Sequence, residues 1–508
     1  MQKLSIVPLV SRFLPGLLVL ATAVIPVALS AYDYSYMQLF LAMVLIDVCI
    51  FPTIQYLRLR EVRLPVLSLI CLAYALQFAM PIFTREPKQS ASYDYVYLTD
   101  TEIIPALLMC IFGVVLLQMG YHLAKQGGVR GFLPTVNLSL GLNRIEAFCI
   151  CAIALSFVLR GAQAMIFSRE DQQFASITSF LENQVLVAIG LLGWMVYSGR
   201  GKLWHKVLLY GTVGAVSLAR GFSTTMLELM LVPLIILFIT KWVYARRIPI
   251  FGILLVGLII LFLSPAKVQV RSAMERDAVS NDAVEVADQW VRQSVDYWVG
   301  AFTGERNLAD STLEATSRAD LIHQLAYVYS MAPNVVPYYY GSSYSYFLVA
   351  LVPRAIWPNK PIVTDTTVKF EVEYGLTSEE GALQTSIGPT LIGEGFINFG
   401  VFGALVVMFL QGIVLACLEQ VFAKRNAAGM SVFLSLFVYL LNGIGGSAVV
   451  MFGGIIQSLV GGCLLLWIFS GRRQSMFVFE PWKLRTGPKS AVPVAGLVLS
   501  RWRAGTGS

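Results

Sequence analysis

Apolar runs separated by short polar segments recur along almost the whole chain. Each run is about 20 residues long, the length that an α-helix needs to cross the hydrocarbon core of a bilayer. The pattern therefore predicts twelve membrane-spanning helices. They lie near residues 14–31, 36–57, 64–83, 103–124, 145–163, 183–198, 206–219, 222–240, 248–264, 397–420, 430–447 and 450–470.

The composition narrows the class of protein further. Hydrophobic residues make up 57% of the 508 residues and charged residues only 13%, against about 45–50% and about 25% in soluble domains. These values exclude a soluble multidomain protein and predict an all-α polytopic membrane protein. Four regions follow from the pattern: a membrane bundle of about nine spans (1–264), a loop domain (265–396), three C-terminal spans (397–470) and a basic tail (471–508).

The distribution of charge predicts how the chain is oriented. The formal net charge of +7 could indicate a nucleic-acid partner, but the basic clusters fall in alternate loops. Together with the two termini, those loops hold 23 of the 37 Lys and Arg residues and only four acidic residues, whereas the opposite side is net negative. The positive-inside rule makes the basic side cytoplasmic, with both termini there. The overall basicity is thus topological and needs no nucleic acid.

Metal and cofactor sites are not expected from this sequence. All seven cysteines fall within predicted spans, which leaves none in the exported loops to form disulfides or a thiolate metal site. The three histidines, His122, His205 and His323, are too scattered along the chain for a histidine metal cluster.

One connection is much longer than the others and carries the candidate chemistry. Residues 265–396 form an exported loop of about 130 residues, and long loops in compact proteins are usually functional or disordered. Helical patterning favours an ordered loop. One helix face is predicted to lie at the outer membrane interface. Its residues are Val284, Ala287, Val291, Val295, Trp298 and Phe302.

Two further segments of this loop have helical patterns. One helix is predicted to begin at Ser317, with Asp320 at the third position of a capping box. The other covers Tyr344 to Val352, is too short to span a bilayer and stops before Pro353. We interpret it as a half-inserted helix over a cavity, because irregular backbone at membrane depth has to be buried in protein or line a wet space.

Four local patterns in and after this loop occur in a fixed order. They are Arg318-Ala-Asp320, Gly341-Ser-Ser-Tyr344, Pro353-Arg354-Ala-Ile-Trp357-Pro358-Asn-Lys360-Pro361 and Gly393-Glu394-Gly-Phe396-Ile-Asn398-Phe-Gly400. Together they resemble the bacterial O-antigen and exopolysaccharide repeat-unit polymerases. The resemblance covers mainly residues 318–403 and elsewhere rests on hydropathy and layout.

The resemblance implies an enzyme of the bacterial inner membrane. Such glycosyltransferases move a growing glycan from undecaprenyl pyrophosphate onto a fresh lipid-linked repeat unit on the periplasmic face, without nucleotide, metal or other cofactor. The implied partners are the undecaprenyl-pyrophosphate-linked oligosaccharide, membrane lipid, a chain-length regulator and a flippase that supplies the repeat units.

Basic residues on the net-acidic exported side are the candidates for holding a pyrophosphate. A guanidinium can pair two phosphate oxygens and stabilise the charge that develops as the leaving group departs. Arg354 is predicted to hold the leaving group, with Arg220, Arg318 and Lys360 as further substrate-binding residues. The structural alternatives are that Arg354 pins the loop through an ion pair, and that Arg220, like Arg160, only snorkels at a span end.

Other residues are candidates for proton transfer and sugar contact. The acceptor hydroxyl loses its proton as the glycosidic bond forms, which predicts His323 or Glu394 as the catalytic base. Their structural alternatives are an ordinary polar helix residue for His323 and a helix cap for Glu394. Tyr344 and Trp357 either contact sugar or pack at the interface, where both residue types are common.

Two other functions fit the same layout. A ligase would pass the finished glycan to lipid A core or another acceptor, and sequence separates it poorly from a polymerase. A lipid-linked oligosaccharide flippase or other transporter would also have about twelve spans. The spans are divided nine and three around the long loop, whereas transporters commonly have two similar repeats, and this difference argues against a transporter.

Substitution of Arg354 tests whether this residue holds the pyrophosphate leaving group. Both Arg354→Lys and Arg354→Ala are expected to abolish glycan chain extension, because lysine cannot pair two phosphate oxygens at once. Gel analysis of surface glycan, with immunoblots showing normal protein levels, measures the effect. Full chain extension in Arg354→Ala would remove this residue from the clamp.

Overall fold

The computed structural model describes most of the predicted membrane region and parts of the long loop. The described residues are 32–59, 64–91, 94–126, 135–136, 140–166, 181–224, 227–245, 247, 249–267, 269–270, 283–305, 320–352, 357, 361, 365–382, 387–422, 426–470 and 477–478. Helices dominate this part of the chain, and its strands form two short antiparallel pairs.

The helices in the first half of the chain are α1 (Tyr36–Leu59), α2 (Val66–Tyr74), α3 (Pro81–Thr84), α4 (Asp100–Gln126), α5 (Leu142–Ile166), α6 (Gln184–Tyr197), α7 (Leu203–Thr224), α8 (Leu227–Ala245) and α9 (Ile250–Leu263). A π-helical turn, Ala75–Ala79, joins α2 to α3. The second half contains α10 (Ala283–Thr303), α11 (Ile322–Met331), α12 (Tyr346–Leu351), α13 (Asp365–Glu373), α14 (Glu379–Ala382), α15 (Leu391–Phe422), α16 (Ala427–Asn442) and α17 (Ala448–Ser470). Strands β1 (Lys88–Ala91) and β2 (Asp94–Tyr97) pair with each other, as do β3 (Thr135–Val136) and β4 (Phe477–Val478).

The apolar runs coincide with helices. Eleven of the twelve predicted spans lie on helices of the structure, and the first, 14–31, lies outside the described residues. Among the described residues, six helices are long and apolar enough to cross a membrane. They are Tyr36–Tyr56, Val66–Thr84, Asp100–Gln126, Leu142–Gly161, Leu391–Phe422 and Ala448–Ser470. Four shorter apolar helices accompany them, so the chain is a helical membrane protein, while the number of crossings stays a prediction.

Local capping explains where two of the central helices begin. Glu102 supplies one half of a capping box before α4, because its carboxylate accepts from the Thr99 amide at 2.7 Å. Asn426 caps α16, because its side-chain oxygen accepts from the Gly429 amide at 2.6 Å. These side chains satisfy backbone groups that the first turn of a helix leaves unpaired.

The centre of the bundle is the close packing of α4 against α15. A Cβ atom added at Gly120 would lie 2.3 Å from the Phe409 carbonyl oxygen, and one at Gly412 would lie 2.0 Å from the Leu117 carbonyl oxygen. Small residues at a helix interface allow such backbone approach, and van der Waals contact is the main attraction between helices in a membrane. The glycines of the two helices therefore set the spacing of the core.

Helix α15 is broken near its start. Phe399 and Gly400 have non-helical backbone angles, and Gly400 has a φ of 65°, which favours glycine. Gly395 and Gly403 would be about 12 Å apart along a straight helix. Instead, a Cβ atom at Gly403 would lie 2.2 Å from the Gly395 carbonyl oxygen. The segment before the break therefore folds back against the start of the 22-residue helix that follows it. The first helical residue is Leu391, six residues before the start of the predicted span at 397.

The amphipathic helix of the loop is confirmed as α10, and the row of residues predicted for the membrane interface differs from the row that packs on the bundle. Val284, Val291, Val295 and Phe302 are exposed. The packed face is a different row, consisting of Val286, Trp290, Ser294, Tyr297 and Ala301. Trp290 anchors it by donating from Nε1 to the Leu263 carbonyl oxygen at 2.8 Å. Both rows are largely apolar, so spacing alone did not identify the inner one.

The predicted start of the next helix was wrong. Helix α11 begins at Ile322, and Asp320 lies before it instead of at its third position. The Leu321 amide donates to the Gln77 carbonyl oxygen at 2.9 Å, which ties this point of the chain to the bundle outside the helix. Asp320 then accepts from the His323 amide at 3.3 Å, as a residue preceding a helix does. Ser317 lies outside the described residues.

The short apolar segment after α11 is helical, as predicted. A 3₁₀ turn, Ser343–Ser345, leads into α12, and Val352 is extended, as expected of a residue before proline. Helix α12 packs on α17, where Phe347 meets Phe452 edge-to-face at a ring separation of 5.5 Å.

The backward fold of α15 predicts a stability change. Gly403→Ala is expected to lower the free energy of unfolding by about 1–3 kcal/mol, because the new methyl group would overlap the backbone at Gly395. The matched control is Gly257→Ala in α9, where a Cβ atom would meet nothing within 4 Å. Unfolding by SDS in mixed micelles measures both variants, and equal midpoints would contradict the close contact.

Candidate functional site

Helix ends and a helix turn enclose a cavity of about 230 Å³ that contains the candidate Arg220. Its wall comes from α5, the turn before α6, α7, α8 and α16. The lining residues are Arg160, Glu182, Asn183, Leu186, Arg220, Leu229, Val232, Val438, Tyr439 and Asn442.

Two arginines and one carboxylate give this cavity its charge. Arg220 is only 7% exposed, and its Nη2 donates to the Asn183 Oδ1 at 2.8 Å. Arg160 donates from Nε to the Glu182 Oε1 at 2.9 Å. Among the lining residues, guanidinium groups thus outnumber carboxylates by two to one. A cavity with this lining is suited to an anion with several oxygens, such as a phosphate or pyrophosphate.

The fold brings these two arginines together from separate helices. Arg160 lies in α5 and Arg220 in α7, and both helices pack on α6, whose first turn follows Glu182 and Asn183. Burial of Arg220 argues against simple snorkelling, since a snorkelling side chain keeps its charged end in water. An ionisable group buried at membrane depth is costly and commonly functional.

A second cluster joins the loop to the broken helix. The Glu394 carboxylate accepts from the Ser343 hydroxyl at 3.1 Å and from the Ala448 amide at the start of α17. Asn398 accepts from the Gly341 amide at 2.9 Å and donates to the Ser343 hydroxyl at 2.8 Å. The two sequence patterns Gly341–Tyr344 and Gly393–Gly400 therefore contact each other directly.

This contact gives Glu394 a structural task. The residue is 1% exposed, and its carboxylate lies at the first amide of α17, where negative charge is favourable. The capping interpretation thus holds for α17 instead of for Glu394's own helix. Tyr344 packs in the same region, with its ring stacked on Phe347 at 5.6 Å.

A third cluster is centred on His323. Its Nδ1 lies 2.6 Å from the Asp320 Oδ2, and its Nε2 lies 2.7 Å from the Tyr34 hydroxyl. Arg85 donates to the same Asp320 oxygen at 3.1 Å. His323 is 0% exposed, so it can reach a solvent-accessible group only through a partner such as Tyr34.

The surroundings of this cluster shift two pKa values. Burial tends to raise the Asp320 pKa, but the charge and hydrogen bonds of His323, together with Arg85, hold it below the usual range. Burial, with the Asp320 charge nearby, raises the Tyr34 pKa well above its ordinary value. Tyr34 is therefore a neutral hydroxyl at physiological pH.

Backbone contacts place the three clusters at one end of the bundle. The Leu391 amide donates to the carbonyl oxygen of Ile444 at 3.1 Å, and Ile444 lies two residues after Asn442 of the cavity. Gln324 of α11 donates to the Gly388 carbonyl oxygen. A Cβ atom added at Gly445, in the turn after α16, would lie 3.4 Å from the Leu321 side chain, two residues before His323. All three clusters therefore lie near this turn, and we call this end the loop end of the bundle.

Four of the predicted site residues belong to the cavity or to one of the two other clusters. Arg220 lies in the cavity, whereas Glu394 and Tyr344 belong to the second cluster and His323 to the third. Trp357 is 43% exposed. Three more, Arg318, Arg354 and Lys360, lie outside the described residues.

Sequence reasoning did not identify several residues that now belong to the clusters. Glu182, Tyr439 and Asn442 line the cavity, and Tyr34 and Arg85 surround His323. Glu182, Tyr34 and Arg85 lie directly beside apolar runs, and that position was the available indication. Tyr439 and Asn442 lie within the predicted span at 430–447, where that indication was absent. Among the described residues, no group of three or more His, Cys, Asp or Glu side chains could hold a metal ion.

Comparison with known families adds one finding. The family model described as "Domain of unknown function (DUF8712)" matches residues 114–474, and the chain belongs to that family. Neither the curated proteins nor the solved structures contain a match. The matched region includes the cavity and the Glu394 cluster, while Tyr34 and Arg85 precede it.

The His323 cluster predicts a pH-dependent contribution to stability. Asp320→Asn is expected to cost roughly 3 kcal/mol at neutral pH, since it removes one partner of a buried charged group. The Asp320 pKa is lowered by folding, so the charge stabilises the fold above the unfolded pKa of about 3.9 and ceases to do so as pH falls through the folded value.

The measurement is the free energy of unfolding of wild type and variant between pH 7 and pH 3. The difference should shrink below about pH 4. Asp288→Asn, at an exposed carboxylate on α10, is the control and should change stability by less than about 0.5 kcal/mol. A difference that stays constant down to pH 3 would contradict a charged Asp320.

Proposed function

We propose that this DUF8712 member is a glycosyltransferase that polymerises undecaprenyl-pyrophosphate-linked repeat units into O-antigen or exopolysaccharide. The observation that carries the proposal is the cavity at the loop end, in which Arg160 and the buried Arg220 face one space. Two guanidinium groups that line one cavity suit the pyrophosphate of a lipid carrier. Two of the four patterns that resemble those of polymerases, Gly341–Tyr344 and Gly393–Gly400, lie at the same end.

The proposed reaction exchanges one bond at the anomeric carbon of the growing glycan. The bond from this carbon to the pyrophosphate oxygen breaks, and a bond to a hydroxyl oxygen of the acceptor repeat unit forms. The pyrophosphate leaves on the undecaprenyl carrier with the bonding electron pair. Arg160 and Arg220 would stabilise the charge on the departing oxygen, and Arg354 is expected to join them.

The acceptor proton needs a base within reach of the cavity. We assign this role to Glu182, because it is the carboxylate among the described lining residues. Glu394 and His323 are enclosed by protein hydrogen bonds, which favours positioning roles for both. Glu394 would hold the loop against the broken helix, and His323 would fix the start of α11.

The proposed orientation has twelve crossings, both termini in the cytoplasm and the 265–396 loop in the periplasm of a bacterial inner membrane. What supports it is that hydrogen bonds and ion pairs join segments predicted to share a side. Periplasmic pairs are Tyr34–His323, Arg85–Asp320 and Arg160–Glu182; cytoplasmic pairs are Lys125–Glu419, Glu146–His205 and Arg144 with the Ser470 carbonyl oxygen.

One observation favours a second candidate, a lipid-linked oligosaccharide flippase. Discontinuous helices such as α15 are common in transporters, where they form sites near the middle of the membrane. Here the break lies at the loop end, next to segments of the long loop, and this position favours chemistry at one surface over alternating access.

Deletion of the gene, followed by analysis of cell-surface glycan by length, tests the proposal. Loss of long chains with single repeat units still attached is the expected result. Loss of all attachment would indicate a ligase, and repeat units trapped on the cytoplasmic face would indicate a flippase. Unchanged glycan would overturn all three functions.

Complementation of the deletion strain then tests the cavity. Arg220→Gln is expected to lower polymer formation at least a hundredfold, in line with the roughly 10²–10³-fold effect of losing one donor to a developing negative charge. Arg220→Lys should recover part of the activity. The control is Arg200→Gln, an exposed arginine at the opposite end of the bundle that should complement fully.

A further inference from the structure

A groove of about 370 Å³ lies outside the arginine cavity, on the loop segment between α11 and α12. This size is within the range of about 300–1,000 Å³ that is typical of small-molecule sites. The lining residues are Val335, Val336, Pro337, Tyr338, Tyr339, Ser342, Lys369 and Glu373. Tyrosine rings and polar groups therefore face the same space.

The polar side of the groove is built by α13. Glu373 accepts from the Tyr339 hydroxyl at 2.7 Å, and Lys369 lies 3.7 Å from the same carboxylate. The Lys369 ammonium also lies 4.7 Å from the centre of the Tyr339 ring. One acidic and one basic group balance each other, so the groove is suited to hydroxyl-rich ligands more than to a second phosphate.

An exposed aromatic ring stands beside the groove. Tyr340 is 76% exposed and has a φ of 48°, an uncommon conformation for a residue other than glycine. Its ring meets Tyr338 edge-to-face at 6.3 Å. Residues held in such backbone conformations often lie at functional sites, because the surrounding structure has to maintain the strain.

The groove is connected to the broken helix by the backbone. The Tyr339 amide donates to the Ile397 carbonyl oxygen at 2.8 Å, and the Gly341 amide donates to Asn398. Two hydrogen bonds therefore join the groove to the Glu394 cluster, and a ligand in the groove would lie beside the broken helix at the loop end.

From these observations we infer that the groove is a sugar-binding subsite for the growing glycan. Aromatic rings stack on the C–H faces of pyranose sugars, while Glu373, Lys369 and Ser342 can hydrogen-bond sugar hydroxyls. The assignment to the growing chain follows from exposure: Tyr340 and Val335 are open to solvent, where an elongating polymer has to extend. This inference rests on the proposed polymerase function.

A binding experiment on the full-length protein in nanodiscs tests it. The probe is the polymer released by mild acid from the surface of wild-type cells, and affinity is measured by microscale thermophoresis. Glu373→Gln and Tyr340→Ala are each expected to weaken binding at least tenfold. Tyr340→Phe keeps the ring, and Glu379→Gln changes an exposed carboxylate outside the groove; both should bind like wild type.

Chain length in the complemented deletion strain gives a second readout. Glu373→Gln and Tyr340→Ala should shorten the modal chain while units are still joined, because a weakly held polymer leaves after fewer additions. Wild-type affinity and wild-type chain length in both variants would overturn the subsite. A deletion strain that still makes full-length polymer would instead overturn the polymerase function, so the two failures are distinguishable.

Discussion

The backward fold of α15 at Phe399 and Gly400 is the constraint on which the loop end depends. Gly395 and Gly403 lie in backbone contact because neither has a side chain, and this contact turns the first eight residues of the helix back on the rest. The turned segment presents Glu394 and Asn398 to the loop. Without the break, the Glu394 carboxylate and the Asn398 amide would lie on a straight helix. The loop would then lose its hydrogen bonds to these two side chains.

Buried polar side chains at this end form three clusters, and hydrogen bonds connect each cluster to distant parts of the chain. In an apolar bundle, each such group costs free energy unless it has a partner. The Glu394, His323 and Arg220 clusters all meet this requirement through hydrogen bonds to distant parts of the chain. The Glu394 and His323 clusters are closed by protein contacts. The Arg220 cluster faces a cavity, which is the physical reason for assigning the reaction to it.

The loop segments then extend this polar end outwards. Helix α10 packs one apolar row on the bundle and leaves another exposed, as a helix at a membrane interface would. The tyrosine groove between α11 and α12 combines aromatic rings with a balanced pair of charges. A cavity lined by two arginines and a groove with balanced charges at the same end suit the proposed substrate, which has a pyrophosphate and a glycan.

The sequence by itself determined the helical membrane class and the position of eleven described helices, because apolar length and spacing are local properties. It also marked Arg220, Glu394 and His323 as residues of interest. Only the tertiary structure decided which row of α10 packs inwards, where α11 begins and which groups meet. Arg160 and Arg220, 60 residues apart, share a cavity because their helices pack on the same neighbour, and no local pattern encodes that packing.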